Sequence, residues 1–227
     1  MSDEGATAVA PTFPQGSALL ALAKAIASLA IGWTLVALVT QVIAARGGGR
    51  RDYSRRAGAP WKGVLYSFTT GMTPAHKESV RLHPGKFALG LVMHVGVIVS
   101  LVGVVLLLVW PTGALRILSF LRPVCAVALV AGIGLLFRRI LSGTMRAISS
   151  PDDYLAILAT CGLLACFSLF RMDARGQLVV LLYAGLLFVY LPLGKLRHAV
   201  FFFVARGDYA RRLGYRGVYP PARARTE

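Results

Sequence analysis

FALGLVMHVGVIVSLVGVVLLLVW, residues 87–110, is a run of 24 residues without one Asp, Glu, Lys or Arg. At about 1.5 Å of helical rise per residue it is long enough to cross the roughly 30 Å hydrocarbon core of a bilayer. Four other apolar runs flank it. Ser17–Ala45 holds a single charge, Lys24; Ile117–Phe137 is interrupted near its start by Arg122 and Pro123 and closed by Arg138 and Arg139; Tyr154–Phe170 and a run from Leu178 are separated by the short polar turn RMDARGQ. A helix pairs every backbone group internally, so a bundle of helices is the architecture expected for such runs in lipid. The spans expected are about 17–45, 87–110, 117–137, 154–170 and 178–204, the last on the premise that the apolar stretch FFFV continues the fifth helix.

Composition agrees with this reading. The 227 residues are 56% hydrophobic and 15% charged, whereas a soluble domain carries about 45–50% apolar and about 25% charged residues. The formal charge of +16 invites a nucleic-acid partner, but that would need a soluble basic face, which so apolar a chain lacks. The surplus is instead crowded into the connections. Arg46–Lys86 holds nine Lys and Arg, Arg138–Asp153 three, and the stretch from Lys195 onward eight, all on one side of a five-span chain; the other side has five. Twenty against five puts the basic side in the cytoplasm. The expected fold is therefore an all-α, multi-pass protein of the inner membrane, with an outer N-terminal tail (1–16), a five-helix domain (17–206) and a basic cytoplasmic tail (207–227). The first run is too long for a signal peptide and its basic cluster follows it, the reverse of a secretory signal.

Local signals mark two helix starts on the basic side. In SSPDDY, Ser150 suits a cap, Pro151 the first helical position, and Asp152 and Asp153 the first turn, where the macrodipole favours negative charge. TPAHKESVRLHPG has the same grammar, with Thr73 as cap, Pro74 as opener and Pro84 as stop, and reads as a short helix before the second span.

Of the four histidines, His76, His83, His94 and His198, only His94 lies deep in an apolar run, where ionisable groups are costly and usually functional. It is eight residues past Lys86, and His198 is eight residues before Arg206. Two imidazoles at similar depth on antiparallel helices suit the two axial positions of one haem iron. Helical side chains lean back over the residue at i−4, which is Gly90 for His94 and Gly194 for His198; a glycine there leaves clearance for a porphyrin. Gly96 and Gly103 instead suit close helix packing. The bland alternative is that both histidines only hydrogen-bond between helices. Cys125, Cys161 and Cys166 fall inside spans, and CGLLAC has the wrong spacing for a zinc or iron–sulfur motif, so they read as small buried packing residues.

The stretches FALGLVMHVGVIVSLVGVV, FRRILS with SSPDDYLAILATCGLL, and YLPLGKLRHAVFFFVAR resemble the gamma-subunit family of respiratory nitrate reductase. That family extends to the membrane cytochromes b of heterodisulfide reductase, of the dissimilatory sulfite-reductase-associated complex and of related hydrogenases. The resemblance covers about residues 17–206. It implies a five-span cytochrome b, N-terminus out and C-terminus in, that relays electrons between a quinone pool (menaquinone or ubiquinone) and an iron–sulfur subunit on the cytoplasmic side. In two-haem members the second and fifth spans each carry a histidine pair. Here the HVG block puts His94 on the first of the second-span pair and Val104 on the other; the fifth span puts His198 on the last and Val180 on its partner. Valine cannot ligate iron, so the resemblance implies one haem b, held by His94 and His198 near the inner face. Lys86, Arg197 and Arg206 are then candidates for the propionates, by charge-assisted bonds, each with the alternative of anchoring at headgroups. His83 is a candidate for quinone or proton handling, an imidazole being able to take or give a hydrogen bond or a proton, with a plain interfacial residue as the alternative. A subunit of this kind catalyses little alone. The readings from other classes are a cofactor-free membrane anchor or assembly subunit and, less favoured for want of a repeat or broken helix, a small transporter. The basic connection RGGGRRDYSRR and the C-terminal tail are expected to meet anionic lipid or a partner.

Overall fold

The fold follows from one apolar helix after another, each reversed at a polar or proline-marked turn. It was obtained as a computed structural model, which describes residues 15–47, 53–76 and 78–221. The N-terminal tail up to residue 14, most of the Gly and Arg run and the last six residues lie outside the described residues. α1 (Gln15–Gly47) is followed by α2 (Pro60–Phe68), two 3-10 turns (Thr70–Met72 and Pro74–His76) and α3 (Glu78–Leu82); then come α4 (Pro84–Val109), α5 (Pro111–Leu141), α6 (Gly143–Ala147), α7 (Pro151–Leu169), α8 (Ala174–Tyr190) and α9 (His198–Tyr215). There is no strand among the described residues.

Four helices are long and apolar enough to cross a membrane: Ala18–Gly47, Pro84–Val109, Pro111–Leu141 and Pro151–Leu169. A fifth crossing requires α8 together with the segment Lys195–Tyr215, from which it is bent by 84°. The chain is thus a multi-pass membrane protein with four such helices among the described residues, or five where the bent pair counts as one span. Proline opens α2, α4, α5 and α7, where its missing N–H costs nothing. Pro84 starts α4, and α3 ends just before it, at Leu82, where a stop is expected. The segment from Thr73, read as one short helix, is one 3-10 turn (Pro74–His76) and the five-residue α3.

Small residues let the helices approach. Ala23, Ala27 and Ala30 are buried, and α1 meets α8 so closely that a Cβ on Gly185 would lie 3.2 Å from Ile26. Gly96 takes Ala128 of α5 against its backbone, Gly103 takes Leu118 and Phe167, and Gly132 takes Cys161 and Met93; without a hydrophobic drive between helices in lipid, such close packing is what holds them. Cys125, Cys161 and Cys166 are buried in this core.

The break after α8 is the departure from the expected fifth span of 178–204. Pro192 has no N–H to offer the carbonyl of Phe188 four residues back, and Leu193 N–H and Gly194 N–H both turn to the Tyr190 carbonyl. The carbonyls so released are met from α1. Thr34 Oγ1 shares its proton between Phe188 O and, at 2.9 Å, Ala30 O of its own helix, Trp33 Nε1 donates to Val189 O at 3.3 Å and Gln41 Nε2 to Pro192 O at 3.0 Å. Non-helical backbone at membrane depth is tolerated only where neighbouring groups satisfy it, and α1 supplies them.

Beyond the break, α9 does not continue into a free tail. It crosses α2 at near backbone contact: a Cβ on Gly63 would collide with the Ala210 carbonyl, and one on Gly214 would meet Pro60 O at 2.9 Å. Residues 207–215, expected in the basic tail, are thereby helical and packed, and Arg46 at the end of α1 pairs with Asp208 at 3.8 Å.

Candidate functional site

His94 sits ten residues into α4 and His198 is the first residue of α9. The break thus makes His198 the opening residue of α9, not a residue inside one fifth span continuous with α8. The two histidines nevertheless meet. Their ring centroids are 6.4 Å apart with planes at 76°.

The hydrogen bonds on the two rings match. His94 Nδ1 lies 2.6 Å from the carbonyl oxygen of Gly90, and His198 Nδ1 lies 2.7 Å from that of Lys195. A carbonyl only accepts, so each Nδ1 carries a proton, and in the neutral ring the lone pair is then on Nε2. That tautomer is the one a metal-ligating imidazole adopts, its second nitrogen oriented by a backbone carbonyl or carboxylate. An imidazole nitrogen bonds a first-row metal at about 2.0–2.1 Å, and it lies about 1.2 Å from its own ring centroid, so two imidazoles sharing one ion from opposite sides would have centroids about 6.4–6.6 Å apart. The observed spacing falls in that interval.

Both histidines are exposed on the protein surface, and nothing beyond the backbone of its own helical turns and its chain neighbours lies within 4 Å of where a Cβ on Gly90 would stand. There is room for a planar group one turn above His94. Gly194 serves differently. A Cβ there would collide with the Tyr190 ring, so this glycine admits that ring to the break and provides no clearance for a cofactor. By contrast Val104 and Val180, at the positions of the second histidine pair in the resembled family, are completely buried in the core.

Arg197 lines a groove of about 490 Å³ beside His198, together with Lys195 and Phe201. Lys86 is exposed in the first turn of α4. Arg197, beside His198, suits a carboxylate of a bound ligand. Arg206 does not share that role. Its guanidinium donates to the carbonyls of Ser67 and Gly71 and lies over the rings of Phe68 and Phe202 at 5.8 and 5.7 Å; it clasps α9 to the end of α2. His83 is the exposed residue before α4, eleven positions before His94 in sequence. His76 Nδ1 is 2.9 Å from Thr73 Oγ1, and its ring stands edge-on to Tyr66. A second groove of about 480 Å³, lined by Pro60, Trp61, Val64, Leu65 and Arg211, contains no metal-ligating side chain.

The residues missed in the sequence are those that shape the break. Asp152 and Asp153, read as helix-start residues, do open α7, and Asp153 Oδ2 accepts from Ser150 N at 2.8 Å. They also reach the break: Tyr190 OH donates to Asp152 Oδ1 at 2.5 Å and Lys195 N–H to Asp152 Oδ2 at 2.8 Å, while Lys195 Nζ pairs with Asp153. Arg139 of α5 closes the group at 3.4 Å from Asp153. The signals that pointed here were Pro192 inside an apolar run and the polar pair Thr34 and Gln41 inside another.

Among the described residues no three His, Cys, Asp or Glu side chains converge as a metal centre; the histidine pair is the arrangement with ligating chemistry. Comparison with protein-family models, curated proteins and solved structures gave no significant match.

Proposed function

We propose that this chain is a membrane cytochrome b subunit that holds one haem b between His94 and His198 and relays electrons between quinone in the bilayer and a cytoplasmic-side iron–sulfur subunit of a respiratory oxidoreductase complex. The observation that carries the reading is the ring pair itself: a 6.4 Å centroid spacing with both Nδ1 atoms bonded to carbonyls. Haem, when bound, supplies the one-electron change. The residues of the chain supply everything around it. His94 and His198 present Nε2 lone pairs, Gly90 keeps the space above one ring open, and Arg197 and Lys86 offer cations to the propionates. The exclusion of a second haem is supported by the burial of Val104 and Val180.

Orientation belongs to the same proposal. The end of the bundle that bears α2, α9 and the histidine pair is the basic one, and the positive-inside bias supports its facing the cytoplasm across an inner membrane. The iron–sulfur partner would then meet the side on which the histidines open, with His83 at the boundary available to a quinone or a proton.

The second reading, a cofactor-free anchor, is favoured by the edge-on arrangement of the two rings, because an edge-to-face contact has centroids about 4.5–7 Å apart. A dithionite-reduced minus oxidised spectrum of the purified protein, with haem quantified per chain, separates the two. We expect b-type bands and one haem per chain. Absence of the bands overturns the cytochrome reading, and two haems per chain overturn the single site.

A further inference from the structure

The histidine on α9 depends for its orientation on residues that never touch it. His198 Nδ1–H is accepted by the carbonyl of Lys195, and Lys195 opens a single 3-10 turn, so its own N–H must find an acceptor outside that turn. What fixes it is α7. The N–H of Lys195 is held by Asp152 Oδ2 at 2.8 Å and its ammonium by Asp153. The other oxygen of Asp152 takes the hydroxyl of Tyr190 at 2.5 Å, and the Tyr190 ring lies against Gly194, so near that any Cβ there would collide. Asp152 therefore spans the break, with one oxygen on the last residue of α8 and the other on the residue whose carbonyl aims the imidazole.

We infer that Asp152, with Tyr190 and Lys195, is a latch that positions the His198 imidazole and so sets the electronic environment of the site; this rests on the cytochrome reading above. None of the three need touch the cofactor. Asp153 reinforces the latch and, through Arg139, ties it to α5. A firmly placed carbonyl on Nδ1–H makes an imidazole a stronger donor to a metal and steadies its ring. A loosened one makes it a weaker donor, which disfavours the oxidised metal and raises the reduction potential. Asp152→Asn retains the shape of the side chain but turns one acceptor into a donor, facing either the Tyr190 hydroxyl or the Lys195 N–H.

The test compares intact wild type, Asp152→Asn and Tyr190→Phe, with Asp173→Asn as control. Asp173 caps α8 at the opposite end through Gly176 N–H at 2.9 Å and touches no part of the latch. Two quantities are read: the potential of the haem, and the low-field resonance of the oxidised low-spin form, which moves with the angle between the axial imidazole planes. The expected result is a rise in potential in Asp152→Asn, equivalent to about twofold to tenfold in the ratio of reduced to oxidised haem (tenfold being about 59 mV for one electron), with a moved resonance. A smaller change in the same direction is expected in Tyr190→Phe, and none in the control. Both latch variants matching wild type in both quantities overturns the latch while leaving the cytochrome intact. Equal shifts in the control overturn it too, because they mark a general loosening. If Asp152→Asn does not accumulate, Tyr190→Phe alone decides by the same criteria. A wild type without b-type bands overturns the cytochrome reading and the latch with it.

Discussion

At the level of single residues, the distinction between His94 or His198 and the other histidines is testable. Replacing either by Ala is expected to abolish the reduced-minus-oxidised bands, while His83→Ala leaves them. Bands that persist in both His94→Ala and His198→Ala assign the ligands elsewhere. The two glycines that sequence spacing pairs part company in the fold. A side chain at Gly90 meets open space, so Gly90→Leu should fold as wild type does and lose most of its haem; measuring haem per chain at unchanged thermal stability checks both halves. Gly194→Ala meets the Tyr190 ring and should lower stability by the roughly 1–3 kcal/mol typical of overpacking. In sequence both glycines stand at i−4 from a histidine, and that spacing is informative only inside a continuous helix. Arg206 does share one helix with His198, but its guanidinium is spent on the carbonyls of Ser67 and Gly71, which spacing along the chain does not reveal.

The elements tell a similar story. The first four spans were legible because uninterrupted apolar runs have one outcome in lipid, and the observed ends differ by a few residues where prolines admit an extra turn. The fifth was not. LPLG within apolar sequence does not announce whether a neighbour will satisfy the carbonyls that Pro192 releases, and that answer lies on α1, 154 residues earlier in the case of Thr34 and Phe188. The dependence predicts that Thr34→Val costs about 1 kcal/mol, in the range for interhelical hydrogen bonds in membranes, measured by unfolding in detergent; Thr40→Val, whose hydroxyl bonds its own helix at Ala37, should cost less. Equal losses at the two positions contradict the role given to α1. The crossing of α2 and α9 was equally hidden, because it rests on Gly58, Gly63 and Gly214 meeting backbone to backbone. No hydrophobic pattern encodes that.

For the whole molecule, charge is the organising quantity. The helices α1, α5 and α8 end, and α4 and α7 begin, at the end where Arg46 meets Asp208, Arg139 meets Asp153 and the two histidines meet each other. That end gathers the basic connections, as the count of twenty against five anticipates, although the sequence does not show that part of this charge is spent on internal contacts. The orientation is checked with reporters fused in turn to the two termini: the C-terminal fusion should be active as a cytoplasmic reporter and the N-terminal one as an external reporter. The reverse pattern would put the histidine pair, and any iron–sulfur partner, on the other side of the membrane.

The proline break also bears on inheritance. Where a relative carries a residue with an N–H in place of Pro192, the carbonyl corresponding to Phe188 can bond within its own helix, and the position of Thr34 is released to become apolar. Where the proline is retained, that position must go on supplying a donor. Two sites far apart in the chain should therefore change together, as a single unit of descent.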